Sequence, residues 1–109
     1  MPVDDFKTID FASLNETKQV AVLTISDHLD WEDSHTHQLI LQDKFNAYLR
    51  FTENGEMAER LPHLANLPVE FNVRFLYEPD KAGLAFLAKA AAVIESAGFS
   101  LTYKIAKLH

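Results

Sequence analysis

The residues most suited to chemistry stand together at Ser26-Asp27-His28-Leu29-Asp30-Trp31. An imidazole lies between two carboxylates with an indole beside them. A carboxylate next to a histidine selects one ring tautomer and makes the free nitrogen a better base. The pattern therefore suits general acid–base catalysis. In that reading His28 moves the proton, Asp27 or Asp30 orients the ring, and Trp31 forms an apolar wall. As a binding site, Trp31, His28 and Asp30 would make the contacts. No nucleophile accompanies them. The same residue types also have an ordinary structural use: Asp27 and Asp30 as turn or cap residues, His28 as a hydrogen-bonded joint, and Trp31 as a core plug whose N–H finds a carbonyl. That use is the commoner one for a histidine beside acids. It predicts that Asp30 or a near neighbour caps the following helix and that Trp31 lodges against the core.

His35 and His37 follow closely and raise the question of a metal. On a helix, residues two apart point to different sides, so the pair cannot share an ion. Asp33 and His37 are four apart and fall within reach of each other. No ligand set matches a known metal spacing, and none is expected; no cofactor is expected either. The chain has no cysteine, which removes disulfides, thiolate ligands and thiol nucleophiles. Its glycines, Gly55, Gly83 and Gly98, are too far apart for a phosphate-cradling loop.

The net charge of −6 disfavours nucleic acid as a partner. Its distribution is uneven. Gln19 to Asp43 holds Asp27, Asp30, Glu32, Asp33 and Asp43 with no Lys or Arg, whereas only Lys104 and Lys107 are charged after Glu95. No apolar run approaches the roughly 20 residues of a membrane span. The first ten residues carry three acids and one lysine, unlike a secretory signal. The expectation is a cytoplasmic protein with no membrane partner.

Around these residues the pattern predicts a small α+β fold, with residues 1–109 as one domain. Ile9 and Phe11 fall on one parity of a weak strand spanning Asp5 to Leu14. Asn15-Glu16-Thr17-Lys18 reads as a turn, and Gln19 to Asp27 is rich in β-branched residues, so the two runs form a hairpin. A helix follows, starting between Trp31 and His35 with Asp30, Asp33 or Ser34 as its cap. Ile40, Leu41, Phe45, Tyr48 and Leu49 form its apolar stripe. It should run to about Glu53 and stop at Asn54-Gly55, with a helical turn at Glu56 to Arg60. Pro68 to Tyr77 alternates strictly, with Val69, Phe71, Val73, Phe75 and Tyr77 on one face. Glu78-Pro79-Asp80 opens a second helix, whose Leu84, Leu87, Ala88, Ala91 and Ile94 line one face, widened by Phe86, Ala90, Val93 and Ala97. Gly98 ends it, and Phe99, Leu101, Tyr103 and Ile105 alternate in a last strand. The economical solution is a two-layer α/β sandwich, a four-stranded mixed sheet in the order ββαβαβ with two helices on one face. Crossover handedness makes the last two strands parallel.

The chain resembles a family of small bacterial proteins classed as a domain of unknown function. Thr8-Ile9-Asp10-Phe11, Leu23-Thr24-Ile25-Ser26-Asp27-His28-Leu29-Asp30-Trp31, Asn46-Ala47-Tyr48-Leu49, Tyr77-Glu78-Pro79 and Glu95-Ser96-Ala97-Gly98-Phe99 carry the resemblance. It implies a stand-alone bacterial protein and brings no activity, ligand or catalytic residue. The leading expectation for function is a non-enzymatic protein-interaction module that binds another protein or forms a homodimer. Val20, Val22, Ala12, Leu14, Leu76 and Ala106 have the parity that faces away from the helices and would form its patch. One version is an acidic protein steered onto a basic toxin or nuclease. The rival is a small acid–base enzyme working through His28.

Overall fold

The computed structural model describes residues 11–64 and 66–106 of the chain. The elements run β1 (Phe11–Asn15), β2 (Val20–Asp27), α1 (Ser34–Glu53), α2 (Glu56–Arg60), β3 (Val69–Phe75), α3 (Lys81–Ser96) and β4 (Ser100–Ile105). The strands lie in the order β1-β2-β3-β4. β1 and β2 are antiparallel, while β2–β3 and β3–β4 are parallel. Each parallel step moves one strand in the same direction. Right-handed crossovers therefore place α1 and α3 on the same face of the sheet, and their buried side chains share one core with it. The part of the first strand expected from Asp5 to Asp10 lies outside the described residues.

The termini of these elements follow local chemistry. In the β1–β2 turn Lys18 N–H donates to Asn15 Oδ1 at 3.1 Å, and Gln19 adopts φ 55°. Left-handed backbone also stands at the two predicted helix stops, Gly55 (φ 89°) and Gly98 (φ 94°), where a side chain would strain the chain. Asp80 caps α3 by accepting from Gly83 N–H at 2.7 Å, with Pro79 just outside the helix. β3 ends two residues before Tyr77. Leu76 N–H still bonds Asp27 O at 2.8 Å, and the chain then bends towards α3, leaving Tyr77 exposed.

The core is built from the inward parity of the two central strands. Ala21, Leu23 and Ile25 of β2 pair in register with Val69, Phe71 and Val73 of β3. Leu41, Phe45, Tyr48 and Phe51 of α1 close over them, and Leu87 and Ile94 of α3 complete the layer. Tyr48 meets Phe71 edge-on at 5.7 Å and donates its hydroxyl to Thr24 O at 2.9 Å. A phenol buried here is tolerated because its one polar atom is satisfied.

The register corrects the outward patch. Ala12 pairs with Leu23 and Leu14 with Ala21, so both stand on the helix side of the sheet. The hairpin turn sets this: cross-strand partners share a face, and a shift of one residue reverses it. Between Val20 and Val22 at one end of the outer face and Leu76 and Ala106 at the other lies a polar network. Asn72 Nδ2 donates to Thr102 Oγ1 at 2.7 Å, and Thr102 Oγ1 donates to Glu70 Oε2 at 3.1 Å. Among the described residues the outer face has no single apolar patch of those six side chains.

Phe71 is wholly buried at the centre of the sheet. Phe71→Ala is expected to cost about 3–5 kcal/mol, from lost transfer energy and the cavity left behind; urea denaturation measures it as a fall in midpoint at constant slope.

Candidate functional site

The residues singled out by type lie where β2 and β3 end and α1 and α3 begin, the end of a parallel sheet at which loops commonly carry function. The structure brings some of them together and separates others. Asp27 is the last residue of β2 and has the inward parity, so its carboxylate enters the core, with Leu29 N–H donating to Oδ1 at 3.0 Å. His28, next in sequence, has the opposite parity and is exposed. Among the described residues it makes no hydrogen bond with a carboxylate, so Asp27 and Asp30 do not orient it.

The histidine that Asp27 meets is His37, one turn into α1. His37 Nε2 lies 2.5 Å from Asp27 Oδ2, and Nδ1 lies 2.9 Å from the Asp30 carbonyl oxygen. Both side chains of the pair are almost fully buried, at 2% and 0% exposure. A carbonyl oxygen only accepts, so Nδ1 carries a proton. Nε2 faces the carboxylate, so each ring nitrogen and each carboxylate oxygen has a polar partner, which is how two ionisable groups are accommodated in a core.

Trp31 closes over this pair. Its ring stacks on His37 with centroids 3.7 Å apart and planes 22° from parallel, and its Nε1–H donates to Tyr77 O at 3.3 Å. It also packs against Phe75 at 5.8 Å. The indole thus lodges against the core, as its type predicted. Gly83, in the first turn of α3, abuts its six-membered ring. A Cβ there would stand 2.7 Å from Cζ3 and 2.9 Å from Cη2 of Trp31, so glycine is required for the approach. Ser34 Oγ donates to Asp80 Oδ1 at 3.0 Å and links the first turn of α1 to the cap of α3.

The helix cap is Asp33, not Asp30. Thr36 N–H donates to Asp33 Oδ1 at 3.2 Å and Thr36 Oγ1 to Oδ2 at 2.8 Å. These bonds, the hydroxyl first, hold the Asp33 carboxyl below its usual range, with His35 adding a charge effect. Asp30 instead forms a tight turn by accepting Glu32 N–H at 3.1 Å. Asp33 and His37 meet only through the helix backbone, His37 N–H to Asp33 O at 3.0 Å. His35 is exposed, and both nitrogens of His37 are engaged. Among the described residues no three His, Asp or Glu side chains form a metal-binding group. A depression of 310 Å³ open to solvent is lined by His28, Leu29, Asp30, Asp33, Thr36, Ile40 and Tyr77, and His37, itself only 2% exposed, stands at its floor.

Sequence reasoning weighed His37 only as a metal ligand beside Asp33 and did not single out Lys44, and one signal identifies the core role of both. His37, Leu41, Lys44 and Tyr48 recur at helical spacing on the core side of α1, so a histidine and a lysine belong to the buried stripe. Lys44 is wholly buried, with Nζ 5.3 Å from the centre of the Tyr48 ring. Chemically, the Asp27–His37–Trp31 cluster joins strand end to helix start; the imidazole is covered and both its nitrogens are used inside the protein.

A family model, described as a family of unknown function (DUF6572), matches residues 1–107. No curated protein and no solved structure matches the chain. Among the described residues no helix is long and apolar enough to cross a membrane.

Two substitutions test the cluster. Gly83→Ala forces the indole off its seat and is expected to cost about 1–3 kcal/mol by overpacking. The loss is read by urea denaturation, with a change in the emission of the chain's single tryptophan as the local signature. Asp33→Ala tests the cap through pH. A carboxyl lowered by folding stabilises in full above its unfolded value, and that stability is lost as pH falls through the lower folded value. The urea midpoint of Asp33→Ala should therefore lie below wild type at neutral pH, and the gap should narrow below about pH 4.

Proposed function

We propose, for a chain that belongs to the DUF6572 family of unknown function, that it is a self-associating protein-interaction module that docks through α3 and β4. One observation carries the reading: the apolar side of α3 is wider than the sheet beneath it covers. Leu87 and Ile94 are buried, whereas Leu84, on the β4 side of the helix, is 44% exposed. Only Lys81, Lys89, Glu95 and Ser96 interrupt an otherwise apolar helix. A helix apolar around most of its circumference is normally covered on all sides.

The neighbouring strand shares the deficit. Leu101, Tyr103 and Ile105 of β4 point to the helix side, in register with Phe71, Val73 and Phe75. Yet Tyr103 and Ile105 keep 42% and 38% of their surface in solvent. Between helix and strand runs an apolar groove of 360 Å³, lined by Leu84, Leu87, Ala88, Ala91, Leu101 and Tyr103. Contiguous apolar surface of this kind is uncommon on monomers and typical of contact surfaces. The catalytic alternative needs a histidine that is both oriented and accessible. His28 is accessible without an orienting carboxylate, and His37 is oriented but covered, so the interaction reading has the stronger support.

Light scattering coupled to size-exclusion chromatography tests it. The wild-type chain should elute as a dimer at micromolar concentration. Leu84→Glu, which puts a charge on the rim of the groove at an exposed position, should weaken the dimer at least about tenfold, the effect of losing about 1.4 kcal/mol, while leaving the circular dichroism spectrum unchanged. A wild-type chain that is monomeric at several hundred micromolar removes the reading.

A further inference from the structure

We propose that β4 pairs antiparallel with β4 of a second copy about a two-fold axis at Tyr103, joining two four-stranded sheets into one. This rests on the interaction reading above and specifies the partner and its register. Backbone direction decides the geometry. Ala106 N–H donates to Phe75 O at 2.7 Å, so the even-numbered residues of β4 turn their N–H and C=O groups towards β3. Successive residues of a strand alternate, so Leu101, Tyr103 and Ile105 present theirs to the open edge. The order β1-β2-β3-β4 leaves that edge without a neighbour among the described residues.

An exposed edge strand is commonly blunted by a proline, a bulge, an inward-facing charge or lysines. β4 has no proline, bulge or inward-facing charge, and a single lysine. Its register with β3 runs unbroken from Ser100 to Ile105. Its one charge, Lys104, is on the outer face of the sheet. The residues that expose their backbone to the edge are the same ones that carry under-covered apolar side chains.

A second copy fits this edge through symmetry and register. A two-fold axis perpendicular to the sheet makes the strands antiparallel and keeps both helix layers on the same side. Centred on Tyr103, it sets Leu101 opposite Ile105 and Tyr103 opposite Tyr103. All three pairs are then of the kind that exchange two hydrogen bonds, and all three place apolar side chains together on the helix side. On the outer face Lys104 comes opposite Thr102 and not opposite its own copy. The chain as a whole carries −6, which resists self-association. From Lys81 to Ala106, however, there are three lysines and one acid, Glu95. Two copies meeting here set segments of net +2 against each other, a smaller repulsion than two acidic ends would give, so the pairing rests on backbone and apolar complementarity and not on charge.

Cysteine cross-linking tests the register in a chain that has no cysteine of its own. In Tyr103→Cys the two Cα atoms would be about 5.5 Å apart, within disulfide range. In Ser100→Cys they would be about 20 Å apart. Mild oxidation should convert most of the Tyr103→Cys chain to a covalent dimer and almost none of the Ser100→Cys chain. Amide hydrogen exchange of the wild-type chain gives an independent readout. The N–H groups of Leu101, Tyr103 and Ile105 should exchange slowly in the dimer and become fast in Leu84→Glu. A monomeric wild-type chain overturns both this proposal and the reading beneath it. A dimer that Leu84→Glu dissociates, with fast exchange at those amides and no preference for cross-linking at position 103, overturns the strand pairing alone. Slow exchange that appears only when a different protein is added overturns the second copy as occupant.

Discussion

The contact between Asp27 and His37 governs how the two halves of this fold meet. It joins the last residue of a central strand to the first turns of the helix that follows, across a loop that must reverse direction. Burial of two ionisable groups is costly unless every proton and lone pair finds a partner. Here the Asp30 carbonyl takes the second ring nitrogen and Leu29 N–H takes the second carboxylate oxygen. The loop from His28 to Asp33 is therefore held from inside, by its own backbone. Trp31 then covers the pair and Gly83 lets α3 come up against the indole. One polar contact thus determines the seat of an aromatic ring and, through that ring, the position of a helix in another crossover.

This inner order contrasts with the opposite edge of the molecule. The core over β2 and β3 is closed, with Leu23, Ile25, Phe71, Val73 and Phe75 all out of solvent. Over β4 the helix layer ends early, and Tyr103 and Ile105 stay partly in water although Tyr103 meets Phe75 edge-on at 5.9 Å. Apolar surface left there is favourable to bury, at about 25 cal/mol per Å². That asymmetry is the physical basis for reading the protein by its edge rather than by its histidines.

The elements were legible because each was written in local chemistry. Strict alternation marked β3 and β4, Gly55 and Gly98 marked helix ends, and Asp80 announced α3. The candidate site was legible in part. Asp27 and Trp31 were identified from their types, but the histidine chosen to accompany them was the adjacent one. His28 and Asp27 are neighbours in sequence, and strand parity sends them to opposite faces. His37 is ten residues away and is brought to Asp27 by the turn into α1. The helical spacing of His37, Leu41, Lys44 and Tyr48 carried the information, but a reading confined to apolar residues passes over a stripe that contains a histidine and a lysine.

What the sequence by itself determined is the number, type and order of the main elements, since hydrophobic period, caps and turn residues act within a few residues of one another. Crossover handedness extended this to the parallel pairing of β3 and β4. Only the tertiary structure decided which partner each polar group takes, which face of the sheet Ala12 and Leu14 occupy, and how far the helices reach across β4. Those outcomes depend on register and on packing between segments distant in the chain. A shift of one residue in the hairpin would reverse the face of every side chain in β1, and nothing in its weak alternation reveals the register.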